Sequence, residues 1–227
     1  METAAKRLLT IAIPPHSEGL LGLPAGKARA LILFAHGSGS SRFSPRNNFV
    51  AEQLRQAGLA TLLFDLLTES ESQNRANVFD IDLLALRLQQ ATEFITEYPA
   101  TRGLPVAYFG ASTGAAAALV AAARLGARIG AVVSRGGRPD MAEAALAHVV
   151  SPTLLIVGGA DPEVLALNQA ARRRLRCACD LVVVPGATHL FEEPGTLEQV
   201  VALAREWFLH HLNAKRSDRV RLRGQHC

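Results

Sequence analysis

A serine with glycines two residues to either side, Gly110-Ala111-Ser112-Thr113-Gly114, follows the apolar run Pro105 to Phe109 and leads into an alanine-rich stretch, Ala115 to Ala123. A turn this sharp between a strand and a helix thrusts the serine hydroxyl outward. It needs a strained backbone, in which side chains at the two flanking positions would collide with neighbouring chain. A hydroxyl so displayed is a candidate nucleophile, inert until a base takes its proton and an acid orients that base. His189, in Thr188-His189-Leu190-Phe191 just after an apolar run, is the candidate base, because an imidazole changes charge near neutral pH. Its plain structural reading is a loop histidine bonded to backbone. Asp161, which ends Leu154-Leu155-Ile156-Val157-Gly158-Gly159-Ala160-Asp161, is the candidate orienting acid. It also reads as the N-cap of a helix led by Pro162, and the two roles are compatible. Asp140, after Arg135-Gly136-Gly137-Arg138-Pro139, is the reserve acid, better read as a helix N-cap.

Acyl transfer also requires backbone N–H groups aimed at the charge that develops on the substrate oxygen. The Thr113 amide, following the candidate nucleophile, is one. The second is expected from His36-Gly37-Ser38-Gly39-Ser40-Ser41, whose glycines let backbone approach a ligand closely; Ser38 is the first choice and Gly39 the second. His36 reads as a brace for that loop rather than as a second base. Arg42, Arg46, Arg135 and Arg138 fall on the same expected face and are candidates to clamp a substrate carboxylate. Local ion pairs with Asp65, Glu69 or Asp140 are the competing reading. Gly22-Leu23-Pro24-Ala25-Gly26-Lys27-Ala28 imitates a phosphate loop, but Leu21 stands where the first glycine belongs and Ala28 where Ser or Thr would hold magnesium.

These groups meet only if each stands at the end of its own strand. Strand-length apolar runs occur at Leu8 to Ile13, Leu31 to Ala35, Thr61 to Phe64, Val106 to Phe109, Ile129 to Val133, Thr153 to Val157 and Leu181 to Val184. Helical spacing lies between them at Pro45 to Ala57, Asp80 to Tyr98, Thr113 to Leu125, Asp140 to Val149, Glu163 to Arg176 and Thr196 to Leu212. Continuous apolar strands alternating with amphipathic helices predict a three-layer α/β/α sandwich on a mostly parallel, doubly wound sheet of about seven to eight strands. The first segment, through Gly19 to Pro24, reads as an antiparallel strand or hairpin at one edge. Ser134 to Ser151 has room for one short helix, so no large lid is expected there and the site should be open. Residues 1–213 read as one domain and residues 214–227 as a basic, flexible tail.

Composition narrows the function classes. Of 227 residues, 49% are hydrophobic and 19% charged, with mean hydropathy +0.16, which describes an ordinary globular chain. The sequence pI of about 9.3 invites a nucleic-acid partner. However, Lys215, Arg216, Arg219, Arg221 and Arg223 against Asp218 account for the whole net charge of +4, so the rest of the chain is balanced. No nucleic-acid partner is expected. Cys177, Cys179 and Cys227 form neither a disulfide framework nor zinc-ligand spacing, and they suit a reducing compartment. No signal-peptide pattern or membrane-length apolar run occurs, so a cytoplasmic protein with no membrane partner is expected. The chemistry calls for no metal and no organic cofactor, its partner is a small-molecule ester, and a homo-oligomer is left open though not indicated.

With these residues assembled, the chain resembles the dienelactone hydrolase-like branch of the α/β-hydrolase superfamily over residues 5 to 212. The likeness rests on Phe34 to Ser40, Tyr108 to Gly114, Ser134 to Asp140 and Val184 to Gly195, and on the chain order Ser112, Asp161, His189. Some relatives that carry the Ser134 to Asp140 signature occur as domains fused to phosphoribosyltransferases. Two positions depart from dienelactone hydrolases proper. Those enzymes use a cysteine nucleophile where this chain has Ser112, and they place a carboxylate near the oxyanion strand where residues 35 to 51 have none. The serine also argues against the dehalogenase and epoxide hydrolase relatives, which place aspartate there. The resemblance implies a serine carboxylic-ester hydrolase working through an acyl-enzyme. The alternatives are a thioesterase or other acyl-transfer enzyme and a non-catalytic binding module on the same fold.

Overall fold

The computed structural model describes residues 7–15 and 17–223 and joins eight strands in one sheet. In chain order these are β1 (Arg7–Ile13), β2 (Ser17–Leu23), β3 (Leu31–Ala35), β4 (Ala60–Phe64), β5 (Val106–Ala111), β6 (Ile129–Arg135), β7 (Thr153–Gly158) and β8 (Cys179–Val184). Across the sheet the order is β1-β2-β4-β3-β5-β6-β7-β8. The β1–β2 hairpin pairs antiparallel at one edge, β2 runs antiparallel to β4, and every later pairing is parallel. The doubly wound sheet and its edge hairpin are those read from the sequence.

The helices are α1 (Pro45–Gln56), α2 (Glu69–Ser72), α3 (Arg75–Val78), α4 (Ile81–Glu97), α5 (Thr113–Leu125), α6 (Pro162–Arg174) and α7 (Thr196–Arg223). Period-two alternation on the central strands divides the core between the two faces of the sheet. Leu31, Leu33, Val106 and Tyr108 pack with Leu84, Leu88 and Leu119 of α4 and α5, while Ile32, Phe34, Ala107 and Phe109 pack with Val50, Leu54, Val200 and Phe208 of α1 and α7. The result is the expected three-layer sandwich. In α5, Ala115 to Ala118, Ala121 and Ala122 are fully buried, because side chains this small let the helix lie close on the sheet.

Three stretches differ from the sequence expectation. Pro139–His148 forms 3-10 turns instead of an α-helix, because Glu143 breaks the ladder with φ 44° and ψ −122°. The segment after β4 folds into α2 and α3, which the hydrophobic pattern did not reveal. Helix α7 continues to Arg223, through most of the stretch read as a tail; residues 224–227 of that reading lie outside the described residues. Among the described residues, no helix is long and apolar enough to cross a membrane.

A parallel sheet collects its loops at the carboxyl ends of its strands. The His36 to Ser41 loop follows β3, Ser112 follows β5, Arg135 ends β6, Asp161 follows β7 and His189 follows β8.

Candidate active site

Ser112 has φ 51° and ψ −125°, a left-handed conformation that a non-glycine residue adopts only under strain. It stands at the N-cap of α5 without a side-chain capping bond, so its hydroxyl is not tied to the helix it precedes. Its own N–H donates to the Arg135 carbonyl at 3.3 Å, fixing the turn to the neighbouring strand. A Cβ on Gly114 would lie 2.2 Å from the Ala35 carbonyl oxygen, and one on Gly110 would lie 2.5 Å from Ala115 Cα. Both flanking positions therefore require glycine because backbone occupies the space.

The three residues expected to meet do so. His189 Nε2 lies 3.4 Å from Ser112 Oγ, and its Nδ1 lies 2.8 Å from Asp161 Oδ2. With a carboxylate against Nδ1, that nitrogen carries the proton and Nε2 presents its lone pair to the serine. Asp161 Oδ1 accepts the Val164 N–H at 3.4 Å, so one carboxylate both caps α6 and orients the histidine. The loop bearing His189 is pinned at two places. Phe191 is buried at φ 56°, and Glu193 accepts the Thr188 amide at 3.1 Å and the Thr188 hydroxyl at 2.6 Å. Those Thr188 bonds hold the Glu193 carboxyl below its ordinary range. The reserve acid, Asp140, takes a bidentate pair from Arg138, Nε at 2.9 Å and Nη2 at 2.8 Å.

The loop after β3 comes within contact of the serine, since a Cβ on Gly37 would lie 2.8 Å from Ser112 Cβ. Its Ser38 amide donates to Thr113 Oγ1 at 3.0 Å, which ties the loop to the first residue of α5. The Thr113 amide belongs to the first turn, where N–H groups have no partner inside the helix. His36 braces the loop from below. The Leu66 N–H donates to its Nε2 at 3.2 Å, so the ring proton is on Nδ1 and is donated to the Gly37 carbonyl at 3.0 Å. Burial pushes the His36 pKa below the ordinary histidine value, favouring this neutral form.

These groups open onto a cavity of about 1090 Å³. Its walls include Phe43, Leu190 and, from the segment around α2 and α3, Leu67, Thr68 and Val78. Sequence reasoning missed this last wall. The available signal was Thr68 with Glu71 three residues on, a capping box with both reciprocal bonds present.

The four arginines divide into two kinds. Arg42 pairs with Asp65 and, at 2.8 Å, with Glu18; Arg138, held by Asp140, is not on the cavity wall. Arg46 meets Glu192 at 2.8 Å, whereas Arg135 touches only Asn47 Oδ1, at 3.4 Å. Arg42, Arg46 and Arg135 all line the cavity, and of these Arg42 alone is held by two carboxylates. Burial and the neighbouring Arg46 charge push the Arg135 pKa down to about 10. Among the described residues, no group of three or more His, Cys, Asp or Glu is placed to hold a metal.

A solved dienelactone hydrolase from Anabaena variabilis superposes with a TM-score of 0.86 and 52% identity, covering 92% of this chain and 99% of that one. The protein Est1E of Butyrivibrio proteoclasticus shares the fold, at TM-score 0.76 and 17% identity, over 91% of this chain and 99% of that one. A Mycobacterium tuberculosis protein provisionally named a phosphoribosyl transferase is 61% identical over 202 residues, 89% of this chain but 45% of its own length. The chain thus spans about half of that curated relative, whose name accords with the reading of the Ser134 to Asp140 signature. No protein-family model matches the chain.

Proposed function

The chain belongs to the dienelactone hydrolase family of α/β-hydrolase enzymes, and from that premise we propose that it is a serine hydrolase cleaving a carboxylic ester of a small soluble substrate. The observation that carries this reading is the continuous chain from Ser112 Oγ through His189 to Asp161, with the serine held at a strained positive φ. Ser112 Oγ attacks the acyl carbonyl as His189 Nε2 takes its proton. Asp161 keeps the imidazole in the required tautomer and stabilises the imidazolium that forms. The 3.4 Å separation is the long end of a hydrogen bond, and such contacts tighten when substrate is bound.

The oxyanion falls to the Thr113 and Ser38 amides. The Ser38 N–H also serves Thr113 Oγ1, so the substrate oxygen shares that donor with the threonine hydroxyl. Collapse of the tetrahedral intermediate passes the proton from His189 to the leaving group, and water then releases the acyl group by the same steps. The strictly serine elbow and the absence of any carboxylate in residues 35 to 51 favour simple esters over dienelactones. The cysteine pattern favours a reducing, cytoplasmic setting.

A panel of short-chain nitrophenyl esters and acyl thioesters, with Ser112→Ala as control, tests the proposal. Wild-type protein should turn over at least one short acyl compound, and Ser112→Ala should lower kcat by roughly a thousandfold or more. Equal turnover by the variant would overturn the assignment. A wild-type protein inert on every compound would leave a binding module on a hydrolase fold.

A further inference from the structure

On the cavity wall Arg135 is a guanidinium whose charge no carboxylate balances, and the Arg46 charge beside it is answered only by the largely exposed Glu192. Arg135 is 7% exposed, yet its Nε and Nη1 have no hydrogen-bond partner and its Nη2 has only the long contact with Asn47. The Phe191 ring lies 6.0 Å from its carbon, at the far limit of a cation–π contact. Arg46 Nε is buried without a partner, as is Arg42 Nε, but Arg42 is held by two carboxylates and Arg46 by the exposed Glu192 alone. The two cations are close enough for Arg46 to disfavour the charge on Arg135, and Glu192, largely exposed, pairs with Arg46 alone. Buried charged donors left unpaired are strongly unfavourable unless something else meets them. Arg46 also stands in the first turn of α1, which contains no acidic residue and adds the partial positive charge of a helix N-terminus. Arg135 itself pairs in register with Ala111, the residue before Ser112, so its guanidinium springs from the strand adjoining the elbow.

We propose that Arg46 and Arg135 form an anion-binding subsite in the cavity wall beside Ser112, which takes a carboxylate or phosphate monoester group carried by the ester substrate. That the anion belongs to an ester rests on the hydrolase reading; the binding of the anion does not. Forked oxygens are the partner that guanidinium groups match, each oxygen accepting a charge-assisted N–H bond. Glu192 now answers Arg46 in part, and an entering anion competes with it for that side chain. The site would therefore select acidic esters over neutral ones of the same shape.

Binding is measured first, by calorimetric titration of Ser112→Ala protein with succinate and, separately, inorganic phosphate; the stronger binder identifies the carboxylate or the phosphate source. Adding Arg46→Gln or Arg135→Met should weaken that binding about tenfold or more, the worth of one charged hydrogen bond. Adding Glu192→Gln should instead strengthen it severalfold by freeing Arg46. Because Glu192 and Arg46 lie nearer the surface than Arg135, these two arms stand even if Arg135→Met fails to fold.

Kinetics on the Ser112 protein then compare mono-4-nitrophenyl succinate with 4-nitrophenyl butyrate. The ratio of kcat/KM values should favour the succinate and fall about tenfold in either arginine variant. Anion binding indifferent to Arg46→Gln and Glu192→Gln, or equal losses on both esters, would overturn the subsite. Tight, arginine-dependent anion binding without turnover of any ester would count against the hydrolase reading alone. Turnover of neutral esters without that binding would count against the subsite alone.

Discussion

Asp161 carries two duties on two oxygens, Oδ2 against His189 Nδ1 and Oδ1 against the Val164 amide. Asparagine caps a helix as well as aspartate does, but its amide nitrogen would face the histidine nitrogen that now carries a proton, and the ring would turn to the wrong tautomer. Asp161→Asn should therefore leave the melting temperature within a few degrees of wild type and lower kcat by roughly a hundredfold to ten-thousandfold. Asp161→Ala should lose the cap as well, at about 1 kcal/mol. Thermal melts beside ester kinetics check both, and an Asp161→Asn protein that melts early yet keeps its kcat would show Asp161 to be a cap alone. The double role was legible in the sequence because a strand end and a helix start coincide at this residue. The arginines were not separable in the same way. Arg42 is neutralised by Asp65 and Arg46 answered by Glu192, partners that the fold brings together from distant segments, whereas the Arg138 partner lies two residues away.

At the scale of elements, the strand, elbow and helix made by β5, Ser112 and α5 must lie against the end of β3, and Gly114 is where the two meet. A methyl group there would press on the carbonyl oxygens of Ala35 at 2.2 Å and His36 at 2.5 Å, both backbone atoms of the chain entering the proposed oxyanion loop. Side chains cannot rotate away to relieve such a clash. Gly114→Ala should cost about 1–3 kcal/mol of stability and, by displacing the His36 to Ser41 loop, lower kcat more than it raises KM. Denaturant unfolding with steady-state kinetics would measure the two effects, and a variant of wild-type stability and kcat would refute the close approach. The elements that position the site were readable because long apolar runs and helical spacing are strong signals. Helices α2 and α3 were not, since four residues are too few to show a period and their caps, Thr68 and Asn74, are local signals easily taken for loop residues. The stretch after β6 failed for a different reason: Glu143 turns left-handed in the middle of a helix-like sequence.

Across the whole molecule, the parallel sheet brings five separate segments to one end, where His189, Asp161, Ser112, Arg135 and a glycine-rich loop stand at the ends of neighbouring strands beside the cavity. The two-sided core explains why such a site is rigid enough for chemistry. Each central strand is buried on both faces, so the loops at their ends inherit fixed starting points. The order of the three candidate residues and their strand ends could be read from the chain. The size of the cavity and its second wall depend on how the connection from β4 to α4 folds back, which no periodicity encodes. The central claim concerns Ser112, and the most direct test is covalent labelling by a fluorophosphonate probe with the modified residue located by peptide mass spectrometry. Wild-type protein should be labelled at Ser112, and labelling should vanish in Ser112→Ala. Persistent labelling of that variant, or modification at any other residue in its place, would contradict the account.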